Sequence, residues 1–176
     1  SAALLAIPGP VVQVLYEHGA FTAADGRATA AALAAFVVGL PAYVLIKALT
    51  PGFFAREDTA TPVKIATVAM VLNIGLALVL MQFLAHVGIA LATALTAWLN
   101  AGTLGFLLLR RGLLVPDDRL KRRVPRIAAA ALVMAVVLAV AAHFLEDALA
   151  GPFAVRAGAL ALLVAGGGAL FLGLAQ

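Results

Sequence analysis

The amino-acid sequence predicts an all-α integral membrane protein with six transmembrane helices, and three observations carry that prediction. The 176 residues are 65% hydrophobic and only 11% charged, with a mean hydropathy of +1.12, whereas a soluble domain is about a quarter charged. The charges collect in short clusters between long uncharged runs, the pattern of a polytopic chain. Each run must satisfy its backbone hydrogen bonds internally in lipid, which selects helices.

Taken in order, the first run, 1–16, carries no charge and lacks the basic start of a signal peptide. The second, 28–46, continues in apolar character past Lys47 to Ala55. Pro41 within it removes a helix donor and should kink the helix, and Pro51-Gly52 should break or bend it again. Thr61-Pro62 reads as a helix start, with Thr61 as the cap and Pro62 at the first helical position. Residues 65–109 contain no Lys, Arg, Asp or Glu, enough for two spans of about 20 residues. The natural break is His86-Val87-Gly88, giving 65–85 and 88–109. Runs 127–145 and 157–176 complete the set. Neither end of the sequence carries the charged flank that anchors a span at the interface, so the chain reads as part of a longer protein. Gly166-Gly167-Gly168 suits close helix packing more simply than flexing.

The basic residues fix an orientation. Alternating the loops puts Lys47, Arg56, Lys64, Arg110, Arg111, Arg119, Lys121, Arg122, Arg123 and Arg126 on one side. The other side receives Arg27 and Arg156, with Glu17, Asp25, Glu146, Asp147 and the histidines His18, His86 and His143. This bias predicts that 47–64 and 110–126 are cytoplasmic. The isoelectric point near 10.1 is therefore a matter of topology and gives no reason to expect a nucleic-acid partner. The absence of cysteine excludes disulfide frameworks and thiolate metal sites.

Several constellations could carry chemistry. Lys47 is either a lysine snorkelling to the cytoplasmic headgroups or a cavity-facing cation for an anionic substrate. Arg56, Glu57 and Asp58 form a solvated loop or, alternatively, a salt bridge that locks the loop in one transport state. Thr93, Thr96, Asn100 and Thr103 fall within about 80° of one helix face. Such a stripe should turn to a neighbouring helix, with Asn73 as partner, or to a hydrated cavity. Asp117-Asp118 superficially suggests an enzyme that holds magnesium diphosphate, but no third carboxylate follows a turn later. The histidines stand singly, away from zinc-ligand spacing, and no phosphate loop or serine elbow is present. The cluster Arg110 to Arg126 would attract anionic inner-leaflet lipids or grip a diphosphate headgroup.

The segments VLYEHGAFTAAD (14–25), LPAYVLIKALTPGFFAREDTATPVKIA (40–66) and HVGIALATALTAWLNAGTL (86–104) closely resemble the MurJ (MviN) family of lipid II flippases. That family belongs to the multidrug/oligosaccharidyl-lipid/polysaccharide exporter superfamily. The likeness runs in register to about Gly112 and more weakly beyond. It implies an exporter fold of about fourteen helices, of which these six form most of the C-terminal lobe. Residues 1–112 would be four core spans, 113–126 a basic cytoplasmic loop, and 127–176 two helices forming a lipid-tail groove.

The implied activity is transport, not enzyme catalysis. The implied cargo is undecaprenyl-diphosphate-linked disaccharide-pentapeptide, flipped from the inner to the outer leaflet of the bacterial cytoplasmic membrane by alternating access. The other implied partners are membrane lipids and the N-terminal lobe, which holds the family's diphosphate-binding arginines. Cargo contact or gating would fall to Lys47, Arg56, Glu57, Asp58, Thr96 and Asn100. Some members carry a sodium site whose positions match Asn73, Ile89 and Thr93, but its carboxylate position is Ala77 here. Sodium prefers anionic oxygen ligands, so a weak site or none is expected, and an ion-free or proton-coupled cycle is equally open. The rival readings are an exporter of another polyprenyl-linked glycan or a drug, and a membrane enzyme acting on polyprenyl diphosphates.

Overall fold

The computed structural model describes residues 1–16, 23–114, 117–145 and 153–175, and these are helical apart from short connections. The expectations for Glu17, His18, Glu146 and Asp147 lie outside the described residues. The elements are α1 (Ala2–Ala6), α2 (Pro8–Tyr16), α3 (Ala23–Phe54), α4 (Ala60–Arg110), α5 (Asp118–Phe144) and α6 (Phe153–Ala175). Four of them, α3 to α6, are long and apolar enough to cross a membrane. Their large side chains stay widely exposed, including Phe83 at 80% and Leu132 at 67%, as lipid rather than water requires. The chain is an all-α membrane protein.

Two expectations about helix ends change. The run 1–16 is divided at Ile7, whose φ of −130° and ψ of 46° leave the helical region. Pro8 then opens α2, where its missing N–H costs nothing. In contrast, α3 runs through both Pro41 and Pro51 to Phe54, so Pro51-Gly52 does not end it. Near Pro51, the Thr50 hydroxyl donates to Ile46 O at 2.6 Å.

At 51 residues, α4 would measure about 76 Å if straight, far more than the bilayer core. It folds instead at Ala85, with φ 48° and ψ −131°, one residue before the break expected from the sequence. Its arms, 60–84 and 86–110, return antiparallel. A Cβ on Gly88 would lie 2.4 Å from Leu80 O, and Asn73 meets Thr93 further along. Only a residue without a side chain fits at 88, because the obstructing atoms are backbone.

The chain separates into two compact units, one of residues 1–34 and 117–176 and one of residues 35–116. In the first, α1 packs on α5, α2 on α6, and α5 on α6. Its core is Ile7, Val14, Leu138, Ala142, Ala159 and Leu163. Of the three consecutive glycines, Gly167 faces Leu138 with no room to spare, while Gly166 and Gly168 face open space. One of the three therefore serves the packing.

In the second unit, α3 lies along the second arm of α4. Gly39 meets Ala94, Ala42 shares a core with Ala97 and Ala101, Leu49 meets Gly105, and Phe53 packs with Leu108. The offset stays near 55 residues throughout, so the two helices run parallel and in register. Small residues set the approach: a Cβ on Gly39 would come within 2.9 Å of Ala94 Cα. That is the small-residue packing by which membrane helices gain van der Waals contact without a hydrophobic driving force.

These contacts set two expectations for thermal unfolding of the detergent-solubilised full-length protein. Gly88→Ala and Gly39→Ala should each destabilise by about 1–3 kcal/mol through overpacking, while Gly75→Ala, which meets open space, should not. Ala85→Gly should hold or raise the midpoint, since it relieves a backbone conformation that costs about 1–3 kcal/mol in a residue with a side chain.

Candidate functional site

The charged elbow joins α3 to α4 within the second unit. α3 ends in a Schellman motif: Asp58 N–H donates to Phe53 O at 3.2 Å and Glu57 N–H to Phe54 O at 3.0 Å. The residue that must turn left-handed is Glu57, with φ 60°, where glycine is the usual choice. The parallel helix ends identically. Leu113 N–H donates to Leu108 O, Gly112 N–H donates to Leu109 O, and Gly112 has φ 68°. Residues 57 and 112 also stand 55 apart, so the matched register of the two helices persists to their ends.

Asp58 then caps the next helix. Its Oδ1 accepts from Thr61 N–H at 3.0 Å and its Oδ2 from the Thr61 hydroxyl at 2.7 Å. The helix begins at Ala60, so the expected assignment of Thr61 as cap and Pro62 as first residue shifts by up to three positions. Pro62 remains in the first turn, where no N–H is needed. Asp58 Oδ2 also receives Arg111 Nη1 at 2.6 Å. Arg111 Nη2 reaches Thr61 Oγ1 at 3.4 Å, and its guanidinium stands 5.6 Å from the Phe53 ring centroid, a cation–π distance. Phe53 itself is fully buried between Leu104 and Leu108. One arginine thus ties together the end of α3, the start of α4 and the end of α4. Hydrogen bonds from Arg111 and then Thr61 hold the Asp58 carboxyl down at about 2.

The other sequence candidates separate. Lys47 is exposed on α3, one turn after exposed Tyr43. Arg56 and Glu57 are exposed in the elbow. Thr96 is buried, but its hydroxyl donates to Ala92 O at 2.8 Å and approaches Thr93 O at 3.2 Å. Thr93 and Thr103 likewise bond back to Ile89 O and Leu99 O. The stripe therefore satisfies most of its polarity within its own helix, and the expected cross-helix bonding comes down to Asn73 Nδ2 on Thr93 Oγ1 at 3.5 Å. Asn100 differs: its Oδ1 is buried without a partner. It lines a groove of about 240 Å3 between the arms of α4, with Lys64, Ile65, Val68, Leu72 and Thr103.

The positions matched to a sodium site do come together. Yet Ile89 O and Thr93 Oγ1 are hydrogen-bonded to each other, and Asn73 presents its Nδ2 to Thr93. With Ala77 in the carboxylate position the donor set is neutral and already paired, so it does not fit a resident cation. No cluster of three His, Cys, Asp or Glu suited to a metal exists among the described residues. Asp117 caps α5 with extended backbone, and Asp118, in the first turn, pairs with Lys121 at 3.4 Å. That is how acidic residues serve a helix N-terminus.

Two features had no clear signal in the sequence. Arg111 looked like one more basic loop residue, and its partner lies 53 positions away. Trp98, on a face apart from the stripe, donates its indole N–H to Val38 O at 2.9 Å.

Because the Asp58 carboxyl is held below its unfolded value of 3.8, its contribution is full above about pH 4 and is lost as pH falls toward 2. Asp58→Asn should remove that contribution at neutral pH and flatten this part of the acid-unfolding profile of the full-length protein, followed by intrinsic fluorescence. Glu57→Gly should leave neutral-pH stability unchanged or raised by about 1 kcal/mol, as Gly112 implies.

Residues 1–158 match the family model described as "Lipid II flippase MurJ". A Rhizobium meliloti protein named "Probable lipid II flippase MurJ" is 42% identical over 177 aligned positions, which cover 99% of this chain and 33% of that protein. A Rickettsia prowazekii protein of the same name is 36% identical over 80% of this chain and 28% of its own length. The "Lipid II flippase MurJ" of Burkholderia cenocepacia is 35% identical over 76% and 26%. The chain thus spans between a quarter and a third of the length of these curated relatives. With the family model covering all but the last 18 positions, the chain belongs to the MurJ family of lipid II flippases.

Proposed function

We propose that this multi-pass membrane chain is the C-terminal part of a flippase that carries lipid II from the inner to the outer leaflet of the bacterial cytoplasmic membrane. The observation that carries this reading is the family match over 1–158, together with relatives that bear that name in several bacteria. The protein acts as a transporter, and the paired aspartates Asp117-Asp118 serve a helix start rather than a diphosphate-metal centre. The elbow 47–64 and the segment 110–126 face the cytoplasm, on the strength of the basic-residue bias.

In this reading Lys47 contacts cargo. It is exposed on a helix that stays continuous through Pro41 and Pro51, so the ammonium is presented from helical backbone. A lysine acts on phosphate as a point charge, which suits a diphosphate that has to move during the cycle. Arg56 and Glu57, exposed in the elbow beyond the end of α3, are available to meet cargo or the rest of the protein. Asp58 has a different duty, holding the elbow through Arg111 and Thr61. Thr96 and Asn100 belong to the lobe's interior polarity. The cycle draws on no sodium at Asn73, Ile89 and Thr93, and the N-terminal lobe completes the cavity.

Depletion of the full-length protein should trap lipid II in the inner leaflet, read by its accessibility to an external lipid II-cleaving probe; unchanged outer-leaflet lipid II would sink the reading. Lys47→Ala should lower flipping about tenfold or more, the scale of a lost charge-assisted hydrogen bond, whereas Arg119→Ala should stay near wild type. Equal, near-normal complementation by both variants would mean that Lys47 only snorkels.

A further inference from the structure

We propose that the Tyr43 hydroxyl is a second cargo-binding group: with the Lys47 ammonium one turn on, it makes a two-donor site on α3 for the diphosphate of a polyprenyl-linked substrate. The proposal rests on the cargo role given to Lys47 above and adds a residue to it. Tyr43 and Lys47 stand four residues apart, about 40° round one helix, and both are exposed. Neither the phenol nor the ammonium has a hydrogen-bond or ion-pair partner among the described residues. Lys47 is also the one charge on α3 after Arg27, so no carboxylate on that helix offsets it.

The packing of α3 sets where the two groups stand. Gly39, Ala42, Leu49 and Phe53 meet the second arm of α4, and Tyr43 and Lys47 lie roughly a quarter turn round from that contact line. Helical side chains lean toward the N-terminus, which for α3 is away from the elbow. With the elbow cytoplasmic, Lys47 leans into the membrane and toward Tyr43, and snorkelling to the headgroups would work against that lean. Depth points the same way. Residues 48–55 are uncharged and α3 reaches Phe54, which puts Lys47 about 10 Å and Tyr43 about 16 Å from the helix end. Half the hydrocarbon core is about 15 Å, whereas the aromatic belt lies at the interface. A tyrosine hydroxyl so deep would go unsatisfied in lipid; facing a hydrated cavity, it is available to a ligand. Ionised diphosphate oxygens accept hydrogen bonds, and a phenol and an ammonium both donate them.

Binding to the full-length protein in lipid nanodiscs tests this with two probes, undecaprenyl diphosphate and undecaprenol, which share a tail and differ in the diphosphate. Tyr43→Phe removes one hydroxyl and keeps the ring. It should weaken binding of undecaprenyl diphosphate about tenfold, the scale of a hydrogen bond to a charged group, and leave binding of undecaprenol unchanged. Equal weakening for both probes would mean lost packing and overturns the proposal. Wild-type affinity in Tyr43→Phe, beside weakened binding in Lys47→Ala, overturns the role of Tyr43 and leaves that of Lys47 standing. A wild-type protein that holds both probes equally overturns the diphosphate cargo itself, and the proposal with it. Cysteine accessibility gives a second readout that does not depend on affinity. Tyr43→Cys, in full-length protein otherwise free of cysteine, should react with a water-soluble thiol reagent in the same nanodiscs, whose two faces are both open to it. Added undecaprenyl diphosphate should slow that reaction. No reaction, or a reaction that the diphosphate leaves unchanged, puts residue 43 outside the cargo path and overturns the proposal.

Discussion

The parallel seating of α3 on the second arm of α4 is the constraint from which the rest of the second unit follows. It depends on Gly39, because any side chain there would run into the backbone of Ala94. Once the helices touch at that point, alanines at 42, 97 and 101 let them stay close, and the offset of 55 residues carries to their ends. Phe53 then fills the space against Leu104 and Leu108. The hairpin at Ala85 brings the second arm back into reach, and Gly88 lets that hairpin close. Two glycines, neither in a loop, thus determine where an exposed lysine and a charged elbow stand.

The elbow shows the same economy with polar groups. A helix end leaves carbonyls without donors, and the next helix start leaves N–H groups without acceptors. Here five residues resolve both: the Schellman turn uses the carbonyls of Phe53 and Phe54, and Asp58 takes the N–H of Thr61. Arg111 arrives from the parallel helix end, which sits beside the elbow because of the shared register. Its bond to Asp58 is solvent-facing and would be weak as an isolated surface pair. Combined with the ring of Phe53 and the hydroxyl of Thr61, it becomes a geometric clasp. The strained residue, Glu57, sits where glycine serves the neighbouring helix. The structure supplies no physical reason for glutamate there, which leaves its exposed carboxylate as the feature that a purely structural role does not use.

Sequence reasoning read composition-driven features well and partnership poorly. The membrane class, the helices and the break near His86 follow from hydropathy and length alone. The exact turn at Ala85 does not, since nothing in alanine favours positive φ. Pro51-Gly52 does not break α3 for a definite reason: a proline deletes one hydrogen bond, and a helix held by its neighbour tolerates that loss where an isolated one would break. The polar stripe was rightly placed on one face, but threonine can bond to its own helix, so periodicity could not say whether the stripe glues helices or waits for water. Arg111 with Asp58 and Trp98 with Val38 join positions 53 and 60 apart. Such pairs depend on helix register, which no local pattern encodes.

Charge and its satisfaction separate the residues that hold the second unit together from those that stay exposed and uncommitted. Thr93, Thr96 and Thr103 have their hydroxyls bonded within one helix, and Asn73 meets Thr93; a ligand would have to displace these bonds to use them. Asp58 is committed three times over. Lys47 is exposed on a span, and an ammonium at that depth is costly unless it snorkels or faces a hydrated cavity. Snorkelling needs only a position near the cytoplasmic end and would accept any neighbouring helix geometry. A cargo role needs a fixed helix beneath the lysine. The glycine contact and the tryptophan bond both fall within ten residues of Lys47 on α3 and seat that stretch on the second arm of α4, which a cargo role would need and snorkelling would not.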